Sequence, residues 1–204
     1  MNRWLWVFIA FILAGPLAAE TYPCGAGPLG LTYDEYAAQE YASGTGQFER
    51  ARRFETERAS MIDVDEKARN EKKIQRAYYN AKRHFDRALE CDNRLTEAYT
   101  ARGFALRKLG ELDDSLESYN SALALVPDDA VSLQGRAETF LALNRFDDVR
   151  ESYVLLSGEH PEEASNLLIA MQAWVQDKAG GSESDGAAGF ADWVRGGARI
   201  SESN

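Results

Sequence analysis

The stretches Tyr99 to Pro127 and Leu133 to Pro161 align with each other at an offset of 34 residues. Tyr99 falls on Leu133, Gly103 on Ala137, Leu106 on Phe140 and Tyr119 on Tyr153. Leu112-Asp113-Asp114 falls on Phe146-Asp147-Asp148, and Pro127 on Pro161. A fixed period in this range marks stacked supersecondary units, none of which can bury its apolar face alone. Each recurring residue has a physical task. Gly103 and Ala137 are small where two helices of a hairpin must touch. Tyr99, Leu106 and Tyr119 put bulk at helical spacing on the faces to be buried. Gly110 and Asn144 fall at the turn inside each hairpin, where a left-handed backbone suits Gly or Asn. Pro127 and Pro161 end the second helix of each unit, because proline cannot continue it.

Those residues, in frames 96–129 and 130–163, resemble the tetratricopeptide repeat, whose pattern runs Trp, Leu-Gly, Tyr, Ala, Phe and Pro over about 34 residues. The fold class the resemblance implies is all-α, an α-α superhelix of helical hairpins. Two departures stand out. Arg102 and Arg136 replace the usual Leu before the small residue, and Val149 and Leu156 stand where the family prefers alanine. Arginine recurring at the repeat period reads as architecture, its stem laid along apolar surface and its head in water. The bulkier pair requires the second unit to open slightly or repack.

Upstream, Tyr78, Ala81, Phe85, Ala88 and Leu89 match the second helix of a unit at 62–95, with Asn93 in the place of proline. Its first half does not match, since charge dominates Asp65 to Gln75. Val64 to Cys91 therefore reads either as one long helix or as a distorted hairpin. Asp63 with Glu66, and Thr32 with Glu35, are capping-box starts. Tyr33 to Ala42 and Gln47 to Ile62 read as two helices separated by Ser43-Gly44-Thr45-Gly46. Downstream, residues 164–178 read as a capping helix with Leu167, Leu168, Met171, Trp174 and Val175. An end repeat needs such a cap. Residues 179–204 read as a flexible tail, opening on a Gly/Ser-rich linker. Phe190, Trp193 and Val194 share one face of a helical turn there, which leaves a short docking segment as the alternative.

The ends set the compartment. Arg3, the apolar run Trp4 to Leu13, the breakers Gly15 and Pro16, and small residues at Ala18-Ala19 form the pattern of a signal peptide over 1–19. The sixteen residues Trp4 to Ala19 fall short of the roughly twenty apolar residues a membrane span needs. The expectation is an exported chain, periplasmic or extracellular, with no span after cleavage. Cys24 in the arm at 20–46 and Cys91 at the end of the divergent helical region 47–95 are then candidates for a disulfide. Neither sits in a Cys-x-x-Cys or zinc spacing, and the histidines, His84 and His160, have no paired ligand, so no metal is expected.

With 33 acidic against 23 basic side chains the formal net charge is −10, which disfavours nucleic acid and anionic lipid as partners. No nucleophile elbow or phosphate loop occurs. The acid pairs Asp113-Asp114, Asp128-Asp129 and Asp147-Asp148 lie at helix starts, where carboxylates suit the dipole. No cofactor and no enzymatic activity are expected. The resemblance implies instead a groove lined by the first helix of each unit, taking a protein or peptide partner. Carried over by position, its lining is Glu97, Thr100, Phe104, Arg107 and Lys108 in one frame, and Val131, Gln134, Glu138, Leu141 and Ala142 in the next. Thr100, Phe104 and Gln134 depart from the lining of members that clamp a terminal carboxylate. An extended or helical segment of an envelope protein is the expected ligand. A structural protein that self-associates into homo-oligomers is the alternative.

Overall fold

The computed structural model describes residues 32–178 and 185–198. The signal-peptide reading and Cys24 lie outside the described residues. Among the described residues eight helices follow one another: α1 (Tyr33–Ser60), α2 (Val64–Cys91), α3 (Thr96–Leu109), α4 (Leu112–Leu125), α5 (Ala130–Ala142), α6 (Phe146–Glu159), α7 (Pro161–Lys178) and α8 (Asp185–Arg195). They pair as consecutive hairpins, and each hairpin packs on the next through α2 on α3, α4 on α5 and α6 on α7. The odd-numbered helices α1, α3, α5 and α7 also touch in series, which gives the stack its superhelical form. Among the described residues no helix is long and apolar enough to cross a membrane.

Local chemistry sets the helix ends. Thr32 and Glu35 close a reciprocal capping box, with Thr32 N–H donating to Glu35 Oε2 at 2.8 Å. Asp63 Oδ1 accepts from Glu66 N–H at 2.7 Å and opens α2. Gly110 and Asn144 take the left-handed backbone at φ 81° and 58°, as the repeat alignment predicts. Pro161 both follows the end of α6 and supplies the first residue of α7, where its missing N–H costs nothing.

The first hairpin differs from the sequence reading. Ser43 to Gly46 is not a linker: α1 runs unbroken through it for 28 residues. The polar side chains stay within the helix, Ser43 Oγ donating to Gln39 O at 2.9 Å and Thr45 Oγ1 to Tyr41 O at 3.0 Å. Gly44 is buried against Phe85, and a Cβ there would come within 2.5 Å of the ring. Val64 to Cys91 is one helix, also of 28 residues. Gly44 thus meets Phe85 as Gly103 meets Tyr119. The first pair is 41 positions apart in sequence and the second 16. α1 and α2 are therefore a repeat hairpin lengthened by 25 residues at its turn.

Arg102 and Arg136 are architectural, as their period indicates. Arg102 Nε donates to Asp86 Oδ1 at 2.7 Å and its Nη1 to Ser118 Oγ at 2.8 Å. One unit on, Arg136 Nη1 donates to Asn120 Oδ1 at 3.3 Å. Each arginine reaches the same position of the preceding hairpin. Val149 and Leu156 are fully buried and belong to the C-terminal core with Leu133, Ala137, Leu167 and Met171.

That core extends into α8. Phe190 is fully buried, stacked on Phe146 at 4.6 Å between centroids and edge-on to Trp174 at 5.6 Å. Trp193 meets Tyr153 at 5.7 Å, and Arg150 lies over both Phe190 and Trp193. The apolar face formed by Phe190, Trp193 and Val194 is thus covered by α6 and α7 of the same chain. Residues 185–195 complete the last hairpin, although the sequence places them in a flexible tail.

Candidate groove

A cavity of about 550 Å³ opens on the side lined by α1, α3 and α5. Its floor is Tyr119, whose ring lies between Gly103 and Gly135; a Cβ on Gly103 would sit 3.0 Å from that ring, and one on Gly135 would clash with it. Burial pushes the Tyr119 hydroxyl up to about 12, against the opposing pull of the Arg107 guanidinium. The hydroxyl is a neutral hydrogen-bonding group at any ordinary pH.

One wall is aromatic. Phe48 and Phe104 are 4.7 Å apart, and Tyr41, two turns before Phe48 on α1, also lines the cavity. The other wall is polar and already paired. Thr100 Oγ1 and Ser132 Oγ share a hydrogen bond of 2.7 Å. Asp129 Oδ2 accepts from Ser132 N–H at 2.9 Å, capping α5. Gln134 Nε2 donates to Glu138 Oε1 at 2.7 Å. Arg107 Nη2 and Glu138 Oε2 form an ion pair of 2.6 Å, both largely shielded from water. Glu97 stands exposed at the rim with no ion-pair partner among the described residues. Three carboxylates therefore face one guanidinium, so the groove is net anionic.

Glu97, Thr100, Phe104, Arg107, Val131, Gln134 and Glu138 all line this cavity. Three neighbours on the same helices do not; of these, Ala142 is exposed outside the cavity lining. The Lys108 ammonium is drawn 2.9 Å from Glu55 and sits beside the α1–α2 hairpin. Leu141 is buried in the C-terminal core. The helical period brings Lys108 and Leu141 near the face, but a partner on α1 claims one and the core claims the other. Nor is Phe104 a free anchor: it is half-buried against Phe48 and Tyr78.

Tyr41 and Phe48 are the lining residues that the sequence reading missed. Tyr41 precedes Gly44 by the interval that separates Thr100 from Gly103, and Phe48 follows it as Arg107 follows Gly103. Recognising Gly44 as the counterpart of Gly103 is the signal that finds them.

Residues 96–129 match the tetratricopeptide repeat. This segment is a tetratricopeptide repeat. The chain matches none of the curated proteins. The matched residues span the central α3–α4 hairpin and the turn after it, and together supply most of the groove lining. Tetratricopeptide repeats are in general protein-interaction scaffolds, and the arrangement of this groove suits recognition: shape from the aromatics, direction from the bonded polar wall. The histidines lie elsewhere. His84 Nδ1 is 2.7 Å from Glu40 Oε2, and His160 Nε2 is 2.6 Å from Asp128 Oδ1. Asp128, Glu159 and His160 could bring three metal-ligand atoms together, but the two carboxylates are exposed and the imidazole is engaged by Asp128.

Proposed function

We propose that this chain is a non-catalytic adaptor that holds an extended or helical polypeptide segment in the groove between α1, α3 and α5. The observation that carries the reading is the cavity itself. Tetratricopeptide positions on two helices, together with Tyr41 and Phe48 from the lengthened first hairpin, converge on one space with an apolar wall and a polar wall. Concave, mostly apolar sites with a few fixed polar groups are the usual form of a binding site. Arg107 is neutralised by Glu138, which argues against a clamp for a terminal carboxylate.

The proposed setting is outside the cytoplasm, in the periplasm or beyond. The basic, apolar and small-residue order at residues 1–19 supports export. Cys91 is disulfide-bonded, and such bonds persist in oxidising compartments.

A photo-crosslinking side chain at position 131 tests the groove, because Val131 is exposed there and its replacement leaves the core intact. The expected result is a discrete adduct from position 131 and none from position 155 on α6, outside the cavity lining. Adding Glu97→Lys should weaken the adduct. Equal labelling from positions 131 and 155 would sink the groove reading.

A further inference from the structure

The net charge conceals a separation. Between Gln47 and Arg83 the chain has eleven Lys and Arg against seven Asp and Glu; the rest has twelve against twenty-six. The lengthened hairpin is a basic arm on an acidic body.

The structure also sorts the charges within that arm. Glu55 and Glu71 lie toward α3, paired with Lys108 at 2.9 Å and Arg58 at 3.1 Å. On the opposite face of α2, Lys73 and Arg76 converge with Arg50 of α1 on a cleft of about 360 Å³. Phe54 forms its apolar part, with Arg50 and Lys73 each 5.6 Å from the ring centroid. Gln47 and Asn80 add amides, and among the described residues no carboxylate lines the cleft. Arg50, Lys73 and Arg76 form no ion pair among the described residues. Three uncompensated cations around an aromatic floor attract an anionic group and leave it apolar surface to pack on.

We propose that this outer face of the α1–α2 hairpin docks an acidic polypeptide segment of another protein, at a site independent of the groove. A membrane surface or a long nucleic acid fits poorly: each is a wide polyanion that would also meet the acidic body, and Asp63, Asp65 and Glu66 stand at the arm's tip. A second copy also fits poorly. A basic face cannot meet itself across a two-fold axis, and basic arm on acidic body is a head-to-tail contact that need not close. A short acidic segment has the charge without the bulk.

The test titrates the full exported chain with a fluorescent oligo-glutamate peptide at low and high salt. Wild type should bind with strong salt dependence. The triple variant Arg50→Glu, Lys73→Glu, Arg76→Glu should lose about tenfold or more in affinity. Arg94→Glu, an exposed charge change outside the arm, should bind as wild type does, and both variants should melt like the parent. Undiminished binding by the triple variant would overturn the proposal. So would preference for polyphosphate or anionic vesicles over the peptide, or a concentration-dependent mass increase that the triple variant abolishes.

Discussion

Gly44 and Gly46 lie one turn-half apart on α1 and should respond oppositely to alanine. A Cβ on Gly44 would press into Phe85, whereas one on Gly46 would meet nothing. Gly44→Ala should destabilise by about 1–3 kcal/mol through overpacking. Gly46→Ala should stabilise by about 0.5–1 kcal/mol, by helix propensity. Gly135→Ala, pressing on Tyr119, should behave like Gly44→Ala; paired denaturant titrations measure all three. In sequence, Ser-Gly-Thr-Gly has the composition of a turn, and only the distant Phe85 reveals that one glycine is a crossing point. Gly103, Gly110 and Asn144 were legible because their partners recur at a fixed interval. Lys108 was not, because Glu55 lies in a segment whose alignment with the repeats is broken by the insertion. His160 supplies a pH test. Its hydrogen bond to Asp128 raises its pKa above 6.5, helped by the charges of Asp128, Glu163 and Glu159 and opposed by desolvation. Its stabilising contribution is therefore full below the unfolded value and declines as pH rises through the raised folded value. Thermal melts across that window should show the decline, and His160→Gln should flatten it.

Among the elements, α8 makes the clearest stability prediction. Phe190 fills a site formed by Phe146 and Trp174. Phe190→Ala should cost about 3–5 kcal/mol, by the usual toll of a large aromatic cavity. Hydrogen exchange should locate the damage in α6 and α7 and leave protection in α2 unchanged, since helical stacks couple mainly to nearest neighbours. The three-residue face was visible in the sequence. That it folds back on its own chain was not, because an eleven-residue helix holds together only through its tertiary contacts. The lengthened α1–α2 hairpin was half visible for a related reason: α2 carries the repeat spacing near its end, while the added residues obey no repeat period.

For the molecule as a whole, the two repeat hairpins followed from one period, whereas the first hairpin, with its share of the cavity lining, and the two ends required tertiary contacts to read. At one end, a Cys24–Cys91 bond would enclose 68 residues, 24 to 91. On a chain-entropy model such a closure contributes about 4 kcal/mol. The expected outcome is no free thiol by non-reducing labelling and a lower melting temperature after reduction; two free thiols per chain would reject the pairing. At the other end, α8 turns Ala188, Gly189, Asp192 and Arg195 outward, a face with little to offer another hairpin. The groove is bounded by the three helices that line it. Three packed helices place their axes across roughly 20 Å, at the usual spacing of 8–10 Å. An extended chain covers that distance in about six residues at some 3.3 Å each. The groove is thus a gauge as well as a receptor: lengthening a bound segment beyond that count should add little affinity, whatever its sequence.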